Sequence, residues 1–257
     1  MRRVEIAPGG HHLRHGDGGP FFWLADTGWL LLSRLTREEA AVYLDDRRRR
    51  GFNVVQAMLL PGLPCRNAYG WEPCADLDPA RPLAGPARDG YWEHVDFVLD
   101  LAAERGMHLA LVPAWGAVVR RGHLTAERAA AYGAWLGRRY RGAQNVFWLN
   151  GGDERGDRNP DVWHALGNAL KEADPDHLMT FHPFGRTRSA QWFADAPWLD
   201  FHMCQSGHQR YDQTAPGEPP GRGQLAVHRG RLRPRAPAAG AGRRALVRGH
   251  PPGPARR

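Results

Sequence analysis

The sequence lacks long apolar runs and contains few cysteines. No stretch approaches the roughly 18 apolar residues that a membrane-spanning helix needs, and the first residues, MRRVEIAPGG, contain no apolar segment of a secretory signal peptide. The three cysteines, Cys65, Cys74 and Cys204, are an odd number without a metal-ligand spacing. We therefore expect a cytoplasmic protein with reduced thiols and no membrane partner.

Signatures of metal and cofactor binding are also missing. The 13 histidines form no HExxH motif and no clustered His/Cys spacing, and His11 and His12 lie in a predicted N-terminal hairpin. The first predicted strand has no glycine-rich phosphate turn, which disfavours a dinucleotide-binding fold. We predict neither a catalytic metal nor a cofactor.

The basic charge is confined to the C-terminal part of the chain. Ten of the 35 basic residues but only one of the 27 acidic residues, Glu218, lie within 215–257, so residues 1–214 carry 25 basic and 26 acidic side chains. Residues 215–257 are rich in Arg, Pro, Ala and Gly and contain no aromatic residue, and we predict a disordered tail. An Arg-rich arm can bind nucleic acid, but this one lacks the aromatics that stack on bases. We predict no nucleic-acid partner.

From residue 20 onward, strand-like and helix-like segments alternate. Buried strands are predicted at 20–26, 52–60, 107–115, 145–150, 177–183 and 199–206. Helices are predicted at 36–51, 91–106, 124–142 and 159–174, with a short helical stretch at 189–194. This repeat predicts an α/β fold whose parallel sheet is covered on both faces.

Polar and aromatic residues cluster at the C-terminal ends of the predicted strands. They are Asp26, Gln56, Trp115, Asn150 with Asp153, His182, and Gln205 with His208. In a (β/α)8 barrel these ends form one mouth, where active sites lie, so the pattern favours a TIM-type barrel over a doubly wound sheet. Only about six of the eight βα units can be identified. We divide the chain into a β-hairpin closing the barrel bottom (1–19), an incomplete barrel (20–214) and the basic tail (215–257).

Several long strings resemble one enzyme family. They include PFFWLADTGWLLLSRLTREEAAVYLDDRRRRGFNVVQA, HVDFVLDLAAERGMHLALVPAWG, NVFWLNGGD and WLDFHMCQSGH. From about residue 4 to 212 the chain is similar to the apiosidase-like glycoside hydrolases. The resemblance implies a (β/α)8 barrel that hydrolyses a glycosidic bond of plant pectin-type polysaccharide with retention of configuration. It also implies an aspartate acid/base after the fourth strand, which Asp153 matches, and a glutamate nucleophile late in the chain.

The nucleophile context of that family, Asp-Gly-Glu-Pro-x-Tyr-Glu, is absent from this sequence. If the codons of GRRALVRG (242–249) are read one base later, the middle base of each codon becomes a first base. With suitable third bases, this shifted frame can encode Asp-Gly-Glu-Pro-Ser-Tyr-Glu-Asp. We hypothesise that a frameshift near Gly223 replaced the native C-terminal part, with the lost nucleophile at about codon 244. On this hypothesis the chain as written is an inactive or impaired hydrolase.

Asp153 directly follows Asn150, Gly151 and Gly152, where a buried strand is predicted to end. Its carboxylate is therefore expected to project from the end of that strand. A retaining glycosidase needs two carboxyl groups about 5 Å apart, one of which donates a proton, and Asp153 is our candidate for that donor. Two alternatives stay open. Asp153 can instead cap the next helix, or Asp157, which we otherwise expect to cap that helix, can be the acid.

The other strand-end residues are candidates for substrate binding. Trp29 and Trp115 offer aromatic faces for sugar stacking, and polar contacts are expected from Asp26, Gln56, Asn150, His182, Gln205 and His208. Each also has a structural interpretation, such as a hydrogen bond from Thr27 to Asp26 or a place in the core. The competing functions are a non-catalytic carbohydrate-binding barrel and an interaction protein that works through its basic tail.

Overall fold

The computed structural model describes residues 1–207. Its strands are β1 (Val4–Ile6), β2 (Leu13–His15), β3 (Ala25–Thr27), β4 (Val54–Met58), β5 (His108–Val112), β6 (Val146–Glu154), β7 (Met179–Pro183), β8 (Thr187–Arg188) and β9 (Cys204–Gln205). Its helices are α1 (Leu31–Arg34), α2 (Arg37–Arg49), α3 (Tyr91–Glu104), α4 (Gly116–Arg120), α5 (Ala126–Tyr140), α6 (Pro160–Ala173) and α7 (Ala190–Phe193).

Strands β3 to β7 form one parallel sheet in the order β3-β4-β5-β6-β7. Every residue of β4, β5 and β7 is buried, as in a sheet covered on both faces. Alternate residues point to opposite faces. Val55 and Leu109 pack in the core cluster that includes the helices, whereas Val54, Phe147 and Leu149 pack in a second cluster on what we call the inner face. The predicted α/β fold is confirmed.

The sixth predicted strand, 199–206, differs from the prediction within the described residues. The segment starts beside β7, where Asp200 donates its N–H to the carbonyl of Met179 at 2.8 Å. It then pairs elsewhere, since β9 is antiparallel to β8 and Ser189 exchanges hydrogen bonds with the backbone of Met203. The segment therefore finds its backbone partners in β8 and Ser189, and within the described residues it does not form a sixth strand of the parallel sheet.

The helix boundaries follow capping residues that the sequence displays. Thr36 Oγ1 accepts from the N–H of Glu39, and the Glu39 carboxylate accepts from the N–H of Thr36, which forms the predicted capping box of α2. Gly51, with a φ of +86°, follows the end of that helix. Thr125 caps α5 by accepting from the N–H of Arg128. The five predicted helices correspond to α2, α3, α5, α6 and α7, whereas the short helices α1 and α4 were not predicted.

Helices α5 and α6 pack tightly and hold β6 in place. A Cβ atom on Gly133 of α5 would lie 2.8 Å from the carbonyl oxygen of Leu166 on α6, so only glycine permits this approach. The indole N–H of Trp148 on β6 donates to Asp174 at 2.8 Å, just past the end of α6. These contacts fix the strand that ends at the candidate acid.

The antiparallel hairpin of β1 and β2 lies where the strands of the sheet begin. Val4 and Phe21 belong to the inner-face cluster. Phe21 meets the ring of His108, the first residue of β5, edge-on with centroids 5.4 Å apart, and Arg3 forms an exposed ion pair with Asp176, just before β7. The hairpin is therefore at the opposite end of the sheet from the strand termini that carry the predicted functional residues.

Candidate active site

The C-terminal ends of the parallel strands bring together part of the predicted site, which we call the mouth cluster. Its members are Trp29, Trp115, Asp153, His182 and Gln205. The two indole rings have centroids 5.3 Å apart, and each contacts the imidazole of His182, at 5.3 and 5.6 Å. His182 and Gln205 are both hydrogen-bonded to Asp153. Gln205 contacts the carboxylate of Asp153, His182 contacts its backbone N–H, and the two indole rings reach the cluster through His182.

Asp153 leaves the line of β6 through an unusual backbone. Gly151, Gly152 and Asp153 have φ angles of +89°, +133° and +54°, and the register of β6 against β7 shifts at this point. A left-handed non-glycine residue costs on the order of 1–3 kcal/mol, so its surroundings must hold it. A Cβ atom on Gly152 would lie 2.8 Å from the ring of Trp115, so glycine is required there.

His182 supports this backbone. Its Nδ1 accepts the N–H of Asp153 at 3.0 Å, which places the proton of the neutral ring on Nε2. Burial lowers the pKa of His182 to about 4, although the charge of Asp153 acts in the opposite direction. His182 is therefore neutral at pH 7 and keeps its acceptor nitrogen toward Asp153.

Gln205 holds the carboxylate itself. Its Nε2 donates to Oδ1 of the half-buried Asp153 at 2.9 Å. Gln205 Oε1 is buried without a hydrogen-bond partner among the residues that the structure describes. Since β9 pairs with β8, a short two-stranded ribbon determines the position of this amide and hence the orientation of Asp153.

Gln56 is the middle residue of β4 and is 9% exposed. Strand alternation puts it on the inner face with Val54. Its Oε1 has no hydrogen-bond partner within residues 1–207. The side chain therefore retains an acceptor that a ligand reaching the inner face could use.

Asp26, a predicted binding residue, is instead bonded to helix α2. Its Oδ2 accepts from the hydroxyl of Tyr43 and from Nη1 of Arg47, both at 2.8 Å, and its Oδ1 accepts from the N–H of Thr27. Burial acts to raise the pKa of Asp26, but the hydrogen bonds from these three residues outweigh it and hold that pKa below its usual value. The structure thus gives Asp26 the structural role that the sequence left open.

Asn150 is likewise directed away from the mouth cluster. It is fully buried, its Nδ2 donates to the carbonyl of Trp163 on α6 at 2.8 Å, and its Oδ1 accepts from the N–H of Gly151 at 2.9 Å. Its alternation partner Trp148 also points to the helix side. Asn150 joins β6 to α6, because every second residue of a strand faces the same layer.

The rival residue Asp157 lies on the surface. It pairs with Arg155, whose Nη2 is 2.5 Å from Oδ2. The N-cap of α6 is Asn159, which has no side-chain cap bond. The expectation that Asp157 caps this helix is therefore wrong, and Asp153 does not cap it either. His208, another predicted binding residue, lies outside the described residues.

Glu154 is a charged residue that sequence reasoning missed. It is 3% exposed, forms an ion pair with Arg120 of α4, and accepts the N–H of Arg155 at 3.3 Å. A Cβ atom on Gly116 would lie 2.7 Å from Glu154 Oε2, so α4 must begin with a glycine to admit this carboxylate. The only sequence signal was an acid directly after Asp153. The structure shows a carboxylate neutralised within the framework.

Neither a metal-binding cluster nor a membrane-spanning helix is found in the described part of the chain. No three His, Cys, Asp or Glu side chains among residues 1–207 are grouped to hold a metal ion. None of the helices formed by these residues is long and apolar enough to cross a bilayer. Cys65 and Cys74 are free thiols.

Comparison with known proteins identifies close relatives. The sequence model of the family described as "Apiosidase-like, catalytic domain" matches residues 7–232. A solved structure described as a glycoside hydrolase family 5 from Bacteroides vulgatus is 44% identical, with a TM-score of 0.79, over 82% of this chain and 45% of its own. A second one, described as a glycoside hydrolase, is 43% identical, with a TM-score of 0.80, over 85% and 49%. A search among curated proteins gave no match.

The chain therefore spans slightly less than half the length of these two solved structures. An endo-1,4-β-mannanase from Rhizomucor miehei, 15% identical with a TM-score of 0.51 over 69% of this chain and 59% of its own, shares the fold alone. The predicted TIM-type barrel class and the predicted family are both confirmed. The strand-end carboxylate, its aromatic surroundings and the match over residues 7–232 agree on one conclusion: the chain belongs to the apiosidase-like glycoside hydrolase family.

Proposed function

We propose that the chain carries the acid/base half of a retaining glycoside hydrolase site, with Asp153 as the proton donor. One observation carries the proposal: the Asp153 carboxylate is oriented by Gln205 at the strand-end mouth. A carbohydrate substrate is supported by the two close relatives, both described as glycoside hydrolases. The finer assignment, an apiose-bearing pectin-type polysaccharide, rests on the family match.

In this proposal Asp153 transfers one proton in each direction. Protonated Asp153 gives its proton to the departing glycosidic oxygen while the bond from that oxygen to the anomeric carbon breaks. A second carboxylate attacks the same carbon and forms a glycosyl-enzyme. Ionised Asp153 then removes a proton from the water that releases the sugar. Because Gln205 donates to Oδ1, Oδ2 is the oxygen assigned to proton transfer.

Gln205 and His182 position this acid without contacting the reacting atoms. Gln205 restricts rotation of the carboxylate, and His182 holds the backbone N–H from which the side chain projects. Productive geometry depends on such support, since small misplacements of a catalytic group reduce rates strongly. The neutral state of His182 preserves its acceptor nitrogen over the working pH range.

Trp29 and Trp115 form the sugar-binding wall in this proposal. Both rings are half-buried, and their planes are inclined by 56° to each other. A pair of inclined aromatic faces suits the apolar C–H face of a pyranose or furanose ring. Gln56 adds an unsatisfied acceptor on the inner face.

We propose further that this chain lacks the second catalytic carboxylate. The buried Glu154 is already paired with Arg120. Residues 208–257 contain two acidic residues, Asp212 and Glu218, and neither stands in the nucleophile context of the family. Hydrolysis by the chain as written is therefore expected to be absent or strongly impaired. A reducing, cytoplasmic setting is part of the same proposal.

The test compares the chain as written with a version whose reading frame is restored after Gly223. Restored protein is expected to release sugar from apiose-bearing pectin fragments, and Asp153→Asn in that background should lower kcat at least about 100-fold because general acid catalysis is lost. Asp157→Asn, a matched loss of charge four residues away, should leave kcat within about twofold. Sugar release by Asp153→Asn at the full rate would overturn the role of Asp153. Release from other glycosides alone would overturn the substrate but not the reaction class.

A non-catalytic carbohydrate-binding barrel is the second candidate. It is favoured by one observation: the Trp29–Trp115 wall is intact, and Asp153 is the one carboxylate in the mouth cluster. Sugar affinity that is lost in Trp29→Ala but survives in Asp153→Asn, together with no turnover by frame-restored protein, would select this candidate.

A further inference from the structure

A second cavity lies at the end of the sheet opposite the mouth cluster, and we call it the lower cavity. It has a volume of about 300 Å³ and opens among the hairpin and the starts of β5, β6 and β7. The residues that matter for its chemistry are Val4, His108, Arg141 and Phe147. This volume is at the lower end of the range for ligand pockets, which suits a molecule about the size of a monosaccharide.

His108 lines the lower cavity and is unusual because its buried imidazole is unpaired among residues 1–207. It is 4% exposed, and neither Nδ1 nor Nε2 has a hydrogen-bond partner in the described part of the chain. Buried polar atoms are nearly always hydrogen-bonded in folded proteins, so an unpaired imidazole in a cavity indicates a missing partner.

The state of this imidazole defines what that partner must offer. Burial lowers the pKa of His108 to about 4, and nearby His15 acts in the same direction, whereas the backbone of Asn53 offsets this only in part. The neutral ring presents one N–H donor and one acceptor nitrogen. A hydroxyl group, which can donate or accept, can pair with either nitrogen of such a ring.

The rim of the lower cavity is positive. Arg141, which directly follows α5, lines the cavity and is exposed, and no carboxylate pairs with it within residues 1–207. The other guanidinium on the rim, that of Arg3, is already paired with Asp176 at 2.9 Å. A planar guanidinium recognises carboxylates.

From this arrangement we propose that the lower cavity binds a small hydroxylated carboxylate of the sugar-acid class. Its hydroxyl group would pair with His108, its apolar ring face would lie against Phe147, and its carboxylate would pair with Arg141. The site is separate from the mouth cluster and does not depend on hydrolysis. The proposal for the lower cavity can therefore be tested independently of the proposed function.

The test titrates the full chain with galacturonate, using galactose as the neutral control and acetate as the control without hydroxyls. Calorimetry is expected to give galacturonate an affinity about tenfold or more above that of either control, as for a hydrogen bond to a charged group. Arg141→Gln should remove this preference. Arg138→Gln, which removes the same charge from an exposed position on α5, the helix that Arg141 follows, should retain it. His108→Gln, with one donor and one acceptor, should bind, and His108→Leu should not.

Location is tested by NMR and by mouth variants. Galacturonate should shift the His108 Cε1–H resonance and leave that of His182 in place, and Asp153→Asn should not change its affinity. Equal binding by wild type and Arg141→Gln, loss of binding in Asp153→Asn, or no binding of galacturonate would each overturn the proposal. If His108→Leu does not fold, the comparison of Arg141→Gln with Arg138→Gln decides alone.

Discussion

Gln205 Nε2 lies 2.9 Å from Asp153 Oδ1, although the two residues are 52 positions apart in the chain. The acceptor lies near the end of β6, the longest strand of the parallel sheet, and the donor belongs to the small ribbon of β8 and β9. The orientation of the candidate acid is therefore determined by two substructures that the chain forms separately.

Gln205→Leu should impair turnover more than substrate binding. In frame-restored protein we expect kcat to fall at least about tenfold, since a hydrogen bond to a charged group contributes about 1.5–3 kcal/mol, while KM changes less than about threefold. Steady-state kinetics checks this, with the exposed Gln191→Leu as control. A rise in KM at constant kcat would mean that Gln205 contacts substrate instead.

Acidification should destabilise the protein between pH 6.5 and about 4. Both His108 and His182 have a pKa lowered from 6.5 to about 4 in the folded state. In this window the unfolded chain binds more protons, so the free energy of unfolding falls as pH falls, by up to about 3 kcal/mol for each residue. Above pH 6.5 neither contributes to the pH dependence.

Urea unfolding at pH 7.5 and 5.0 measures this loss. His94 and His202 also have lowered pKa values because they are buried, so a variant at one position removes only part of the slope. The double variant His108→Gln, His182→Gln should show a smaller difference between the two pH values than the wild type. An unchanged difference would contradict the assignment of these two groups.

Asp26→Asn should reduce stability and leave sugar binding intact. The change weakens bonds from Tyr43 and Arg47, and because the ion pair is about one quarter exposed, we expect a loss of about 1 kcal/mol. Chemical denaturation and sugar titration measure the two effects, with the exposed Asp195→Asn as control. Loss of sugar affinity at unchanged stability would mean that Asp26 binds the substrate.

Much of the framework could be predicted from local patterns. The capping pair Thr36 and Glu39 gave α2 correctly, and the buried apolar runs gave the strands, because both signals depend on residues close in sequence. The roles of Asp26 and Asn150 could not be read in this way. Their position at strand ends was visible, but strand alternation and contacts with distant helices decide that they face α2 and α6.

For the candidate site, the sequence indicated several of the residues but not how they are arranged. Trp29, Trp115, His182 and Gln205 were candidates only as strand-end residues, and tertiary folding joins them around Asp153. Glu154 stayed unnoticed because its burial depends on Gly116 and Arg120 in a helix that no periodic pattern predicted. Short helices such as α4 lack the length from which periodicity can be recognised.

The coding DNA should carry the record of a shifted frame. If the nucleophile segment was displaced, codons 242–249 must have A in the third position at Gly242, Arg244, Val247, Arg248 and Gly249. Sequencing of the gene checks this directly. Any other base at these five positions would refute the frameshift and leave the absence of the nucleophile context without that explanation.

The three successive residues of β6 with positive φ, Gly151, Gly152 and Asp153, also bear on which acidic side chain fits at position 153. Because the main chain itself swings residue 153 out of the strand, the carboxyl group needs only one methylene to reach its amide partner. A glutamate there would push its oxygens past Gln205 by roughly one carbon–carbon bond, about 1.5 Å, which is the scale of error that costs an enzyme about two orders of magnitude in rate. The curvature of the peptide chain thus selects the shorter of the two acidic side chains.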